Sequence, residues 1–354
     1  MTEMLSMSNN APLFVGMMLL KLVVVFSVTM LIVAYATWVE RKVIGHMQTR
    51  LGPMRTGWHG LLQPIADGLK LFFKEDIIPS QASKVPFLLA PMMILIPALV
   101  TIAVVPFGPD LVVSGFAVPL QITDLNIGVL YILAFAGLGV YGIVLAGWSS
   151  NSKYSLLGGV RATAQMISYE LAAGITIIAV FMLSETLSLR EIVALQAGPL
   201  WGVINFIPDW YVFKQPLAFG LFVITGLAEI NRTPFDMPEA ESELVSGFCT
   251  EYSSMKYALF FMAEYANMIV IAAITATLFL GGWGAPLNIG ILNMVPGFVW
   301  LLAKVFAIMF FFMWLRATLP RVRYDQLMKL GWKILIPLAL ANLIVTGLVV
   351  VLQQ

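Results

Sequence analysis

Between Glu229 and Glu251 the chain reads EINRTPFDMPEAESELVSGFCTE, with six carboxylates (Glu229, Asp236, Glu239, Glu241, Glu243 and Glu251) against one base, Arg232. Glu170 and Glu264 lie inside apolar runs, AQMISYELAAGITIIAV and LFFMAEYANMIVIAAI, and Lys304 lies inside another, between Trp300 and Phe310. An ionised group in the bilayer costs on the order of 2.5–3.5 kcal/mol on insertion scales, so each is a functional candidate by default. Burial moves carboxyl and ammonium groups towards neutrality, and like charges held close titrate as a set. Groups tuned in this way exchange protons near neutral pH, as a proton relay requires. Relay is the expectation for Glu170 and Glu264. The alternative is a buried ion pair or hydrogen-bond clamp that only fixes helix packing, and for Lys304 the two readings stand level. For Lys21, near the end of the first apolar run, snorkelling to the interface is sufficient.

The acidic segment has readable local structure. Thr233 precedes Pro234, which disfavours helix, so the apolar run before it should end near Arg232. Asp236-x-x-Glu239 resembles a capping box with Pro238 in the first turn of a new helix. In such a helix Glu239 and Glu243 share a face and Glu241 points away. Solvation and the helix dipole account for Asp236 and Glu239, but not for six acids with Glu170 and Glu264 in neighbouring spans. No ligand spacing here matches a calcium loop, and no metal site is expected.

These residues must be positioned by a membrane protein. Of the 354 residues 60% are hydrophobic and 11% charged, against about 25% charged in a soluble domain, and mean hydropathy is +0.91. A net charge of +1 gives no footprint for nucleic acid. The single cysteine, Cys249, excludes an internal disulfide and a zinc or iron–sulfur site made by this chain alone. The two histidines, His46 and His59, fall outside the apolar runs, so a haem-carrying bundle has no axial ligands. The first residues carry Glu3 and no base before Lys21, so the first run is expected to remain as an anchor.

Eight spans are expected, at roughly 13–38, 86–106, 127–148, 161–183, 215–231, 257–280, 296–316 and 333–352; the fifth is short. Sixteen of the 20 Lys and Arg residues fall in loops 39–85, 149–160, 232–256 and 317–332 or their flanks. The positive-inside rule makes these loops cytoplasmic and both termini periplasmic. Within loop 39–85, residues 58–75 place Trp58, Leu61, Leu62, Ile65, Leu69, Phe72 and Phe73 at helical spacing, opposite Gln63, Asp67, Lys70 and Lys74. The pattern predicts an amphipathic interfacial helix, bent at Pro64, that lies on headgroups, roofs a cavity or docks a partner. The fold class is therefore an all-α polytopic membrane protein with about eight transmembrane helices and a cytoplasmic amphipathic helix. Gly137, Gly139 and Gly142 fit G-x-G-x-x-G but lie inside span three, where small residues favour close helix packing. No internal repeat of the kind that marks secondary transporters is apparent.

Several long stretches carry a family resemblance: WVERKVIGHMQTRLGPMRTGWHGLLQPIADGLKLFFKED (38–76), GWSSNSKYSLLGGVRATAQMISYE (147–170), AEINRTPFDMPEAESELVSGFCTEY (228–252), FFMAEY (260–265) and LRATLPRVRYDQLMKLGWK (315–333). The chain resembles the quinone-chamber membrane subunit of respiratory complex I, the bacterial NADH:quinone oxidoreductase. The resemblance implies a translocase subunit in the bacterial inner membrane that shapes the quinone-access chamber and couples quinone reduction to proton translocation. It implies a proton path through Glu170, Glu229, Glu239, Glu241, Glu243, Glu251 and Glu264. It implies a quinone tunnel lined by Arg41, Arg50, Asp67, Arg232, Phe235 and Asp236, with Arg41 and Arg50 pairing with acids. Quinone would be the substrate. FMN and iron–sulfur clusters would belong to hydrophilic partner subunits, other membrane subunits would flank the chain, and no redox centre would lie in the chain itself. The alternatives are a homologous subunit of a membrane-bound hydrogenase or another dehydrogenase, and a stand-alone ion transporter.

Overall fold

A computed structural model describes residues 11–113, 116–200, 204–237 and 244–353. The chain begins with α1 (Ala11–Met47), a 3₁₀ turn at Trp58–Gly60, α2 (Gln63–Phe72) and α3 (Lys84–Thr101). A short antiparallel hairpin, β1 (Leu111–Val113) with β2 (Phe116–Val118), precedes α4 (Gly128–Ser149), α5 (Lys153–Ser184) and α6 (Leu189–Leu195). A second hairpin, β3 (Pro199–Leu200) with β4 (Ile204–Pro208), leads to α7 (Tyr211–Lys214) and α8 (Pro216–Glu229). After a 3₁₀ turn at Gly247–Cys249 come α9 (Ser254–Phe279), α10 (Gly290–Asn293), α11 (Gly297–Thr318), α12 (Tyr324–Leu330) and α13 (Ile336–Gln353). A π-helical turn at Gly331–Leu335 joins the last two into one rod.

Among the described residues seven helices are long and apolar enough to cross a membrane: α1, α3, α4, α5, α9, α11 and the α12–α13 rod; α8 is a shorter apolar helix. The chain is an all-α polytopic membrane protein, and the strands among the described residues form two small hairpins. Helix ends follow local chemistry. α8 opens on Pro216, whose missing N–H has no helical partner at that position anyway. It stops at Glu229, ahead of Thr233-Pro234, and α11 stops at Thr318, ahead of Leu319-Pro320. α1 runs past residue 38 to Met47, since no proline or glycine lies between Gly16 and Gly45. The rod begins at Tyr324, so part of predicted loop 317–332 is helical.

The amphipathic helix is shorter than its periodicity suggests. Gly57, His59 and Gly60 adopt positive φ and break the pattern, so α2 begins at Gln63. Pro64 then sits in the first turn, where it starts the helix and does not bend it.

α9 is the hub. In its most apolar window 72% of residues are buried, against 11% in α1, whose outer face is left for lipid or a partner. α9 packs against α1, α2, α3, α6, α8 and α11, while α5 packs against α4, α8 and α13. Lipid offers no hydrophobic drive for helix pairing, so close approach at small residues takes that role. At Gly142 of α4 a Cβ would lie 2.9 Å from the Ala90 carbonyl oxygen. At Gly139 a Cβ would meet nothing within 4 Å, so only part of the glycine pattern serves packing.

Loops 39–85, 149–160, 232–256 and 317–332 gather at one end of the helices. There Ser83 N donates to Ser149 O (3.0 Å), Ile77 N to Ser253 Oγ (3.0 Å) and Val322 N to Pro234 O (3.0 Å). The connections after α3, α5 and α9 meet at the opposite end, where Arg190 pairs with Asp110 at 2.7 Å and Gln196 Nε2 donates to Thr277 O at 3.0 Å.

Candidate functional site

At the basic end a buried ion cluster forms around Arg232, which is only 4% exposed. The guanidinium Nη1 donates to both oxygens of Glu40, at 2.7 and 2.8 Å. Nε pairs with Glu264, and the guanidinium lies 4.4 Å from the centre of the Tyr265 ring. Tyr265 Oη donates to Glu40 Oε2 at 2.8 Å, and Arg316 also pairs with Glu40. Two acids thus face two bases. Burial opposes the charge on Arg232, but Glu264, Tyr265 and Glu40 outweigh it and hold the pKa above the ordinary arginine value.

The loop that carries Arg232 is fastened on several sides. Gln165 of α5 donates Nε2 to Ala228 O (2.8 Å) and Phe235 O (2.7 Å). Arg321 pairs with Asp236 at 2.9 Å, and the buried Phe235 ring lies 5.9 Å from the Tyr169 ring. Tyr169 in turn donates to Leu327 O at 3.0 Å, tying α5 to α12. Phe235 and Asp236, expected with Arg232 to line a quinone tunnel, belong to this fastening.

One side of the cluster opens on a cavity of about 800 Å³ between α1, α2 and α9, with Glu40, Arg41, Arg50, Asp67, Tyr265 and Arg316 among its walls. Arg41 pairs with Asp67 at 2.7 Å, as expected, whereas Arg50 makes no ion pair among the described residues. Arg232, expected to line a quinone tunnel with Arg41, Arg50 and Asp67, stands behind Glu40 and is not among the walls of this cavity. Asp67 also accepts from Gln63 Nε2 at 3.0 Å, so the polar stripe of α2 faces inward as a roof. Its apolar side chains Ile65, Leu69 and Phe72 point outward, each more than half exposed. The Glu75 carbonyl accepts from Ser253 Oγ at 3.2 Å and Lys256 pairs with Asp76 at 2.8 Å, which docks the end of this segment on α9.

The other side of the cluster meets a cavity of about 60 Å³ lined by Glu229, Asn231, Glu264 and Asn267 among apolar neighbours. A further one of about 40 Å³ shares Glu229 and Asn267. A cavity of tens of Å³ with several polar partners is roomy enough for water. Asn231 Oδ1, buried and without a hydrogen-bond partner among the described residues, suits such a site. Glu170 lies within electrostatic reach of Glu229, and its Oε1 would stand 3.0 Å from a Cβ at Gly137. Gly137 therefore leaves room for a carboxylate. Glu251 lies further along, half-buried in the turn before α9. Glu239, Glu241, Glu243 and the capped helix expected from Asp236 fall on or run into residues 238–243, outside the described residues.

Lys304 is placed as a clamp. Its Nζ donates to Leu280 O (2.6 Å), Gly282 O (2.9 Å) and Gly284 O (2.7 Å), and lies 4.4 Å from the Trp210 ring centre. It holds the C-terminal end of α9 at the end away from the acids. Glu40, Tyr265 and Arg316 were not singled out from sequence. Glu40 belongs to the uninterrupted helical run through residue 38, and Tyr265 adjoins Glu264, so both carried a local signal. Among the described residues no group of three His, Cys, Asp or Glu could hold a metal ion.

The family described as NADH dehydrogenase matches residues 20–347. A protein of Geobacter sulfurreducens, named as an H-type chain of NADH-quinone oxidoreductase, is 65% identical over 95% of this chain and 96% of its own length. A second protein named as an H-type chain of NADH-quinone oxidoreductase, from Geobacter metallireducens, is 64% identical over 94% of this chain and 95% of its own. Its counterpart in Thermomicrobium roseum is 51% identical over 92% and 94%. The two-cavity bundle with its arginine-centred ion cluster is thus carried by a chain that belongs to the NADH dehydrogenase family, as an H-type membrane subunit of NADH-quinone oxidoreductase.

Proposed function

We propose that the 800 Å³ cavity is this chain's part of the quinone-access chamber and that the chain couples quinone reduction to proton translocation through Glu264, Glu229 and Glu170. Electrons arrive from NADH through flavin and iron–sulfur clusters held by partner subunits. Reduction of a quinone to quinol takes up two electrons and two protons, so it changes charge and proton demand beside Glu40, Tyr265 and Arg316. The basic loops face the cytoplasm and the partner subunits, and both termini face the periplasm of a bacterial inner membrane. Arg41, Arg50 and Asp67 line the entrance under α2, whose outward apolar face meets lipid or a partner. Arg232, Phe235 and Asp236 form its inner support. Glu239, Glu241, Glu243 and Glu251 continue the acidic path from the loop.

One observation carries this reading. Arg232 is bonded at once to Glu40, in the wall of the large cavity, and to Glu264, in the wall of the small polar one. The test is Glu264→Gln in the assembled complex, with quinone reduction and proton translocation measured side by side. The expected result is assembly at normal levels with loss of coupled translocation. Normal translocation in that variant would rule out the relay.

A further inference from the structure

We propose that Arg232 is the shared counter-ion of the two cavities, through which charge in the large cavity sets the hold on Glu264. The inference rests on the reading of the cavities given above. Arg232 lines neither cavity, so no ligand in either touches it. It meets the first through Glu40 and the second through Glu264. Deep burial leaves little water between these groups, so their mutual attraction is weakly screened. Glu40 is contested, because Arg316 and the Tyr265 hydroxyl also bind it and both reach the large cavity. The wall of that cavity carries Arg41, Arg50, Lys70 and Arg316 against Glu40 and Asp67, an excess of two positive charges suited to a ligand that gains negative charge.

The consequence is a competition. A ligand that acquires negative charge draws Arg316 from Glu40. Glu40 then depends more on Arg232, and the guanidinium, whose Nη2 has no hydrogen-bond partner among the described residues, has a donor free to follow it. Glu264 is left with less positive charge beside it, which favours its taking a proton from the small cavity. When the ligand loses its charge the sequence reverses. No helix has to move, since the guanidinium already touches both acids.

The experiment is a mutant cycle in the assembled complex, with a short-chain quinone as the probe. KM and the ratio of protons moved to electrons transferred are measured for Glu40→Gln, Glu264→Gln and the double variant, with and without Arg232→Lys. Glu264→Gln is expected to change KM by about threefold or more although it does not line the large cavity, and the two changes should be non-additive. Lysine at 232 cannot hold two carboxylates through a planar fork, so it should make them additive. If Arg232→Lys does not assemble, the cycle of the two glutamines decides, with Glu264→Asp as a second way of withdrawing that carboxylate. Loss of translocation with unchanged KM and additive effects would overturn the role of Arg232 and leave the relay standing. Normal translocation and unchanged KM in Glu264→Gln would remove the relay itself, and this inference with it.

Discussion

Lys304→Met separates a clamp from a relay at the one intramembrane cation for which the sequence left both open. Methionine fills the lysine stem but donates nothing, so the carbonyls of Leu280, Gly282 and Gly284 lose the ammonium that bonds them at 2.6–2.9 Å. A buried carbonyl left without a donor costs about 1–3 kcal/mol. Loss of the cation–π contact with Trp210, at 4.4 Å, adds roughly 0.5–2 kcal/mol. Against this, the variant no longer has to desolvate an ammonium, a term of several kcal/mol. The balance is a net loss on the order of 3 kcal/mol, felt where α9 ends and far from Glu264. Thermal denaturation of the purified complex should therefore fall by several degrees, while molecules that remain assembled keep their normal ratio of protons to electrons. A complex as stable as the parent that reduces quinone without moving protons would refute the clamp and put Lys304 in the proton path.

Two further outcomes are expected. Gly137→Ala places a methyl 3.0 Å from Glu170 Oε1; the side chain can turn aside at about 0.5–1.5 kcal/mol, so assembly should be normal while the proton-to-electron ratio falls, as measured in vesicles. Tyr252, in the turn before α9, donates to Phe87 O at 3.2 Å, and burial pushes its pKa from about 10 up to about 12. Its neutral form is kept in the folded state where the unfolded chain has already ionised, so its contribution is full below pH 10 and is lost between about pH 10 and 12. Thermal midpoints across that range should fall less steeply in Tyr252→Phe than in the parent.

The parts of the site that were legible in the sequence are those with a local cause. Glu170 and Glu264 stood out because charges inside apolar runs are costly; Glu264 lines the 60 Å³ cavity, and Glu170 lies within electrostatic reach of Glu229 in its wall. The end of α8 followed from Thr233-Pro234, and α2 showed its polar stripe in the sequence, though not that Asp67 on that stripe pairs with Arg41. What was hidden depends on distant partners or on backbone. Arg232 meets Glu40 across 192 residues, and Arg316 meets the same acid across 276. Charge at residues 40–42 suggested a span ending at 38, but the helix continues to Met47 because nothing breaks it, and this puts Glu40 among the buried groups. The partners of Lys304 are carbonyls, which carry no residue identity at all. The positive φ at His59, which shortens α2, is uncommon outside glycine and leaves no trace in a hydrophobic pattern.

The position of Arg232 also follows from how α9 presents its side chains. Glu264 and Tyr265 are consecutive, so they leave the helix about 100° apart and reach different spaces: the acid the small cavity, the phenol the large one. A single side chain stacked on the ring of one and paired with the other must lie on the boundary between the two, and Arg232 does. Lysine could neutralise an acid there, but a point charge neither stacks on Tyr265 nor forks towards two carboxylates. Replacing the arginine with a neutral residue would leave Glu264 buried without its cation, and breaking a buried pair in that way costs about 3–5 kcal/mol. That cost holds the guanidinium in place while allowing its bonds to be redistributed, because shifting weight from one acid to the other never exposes a bare charge.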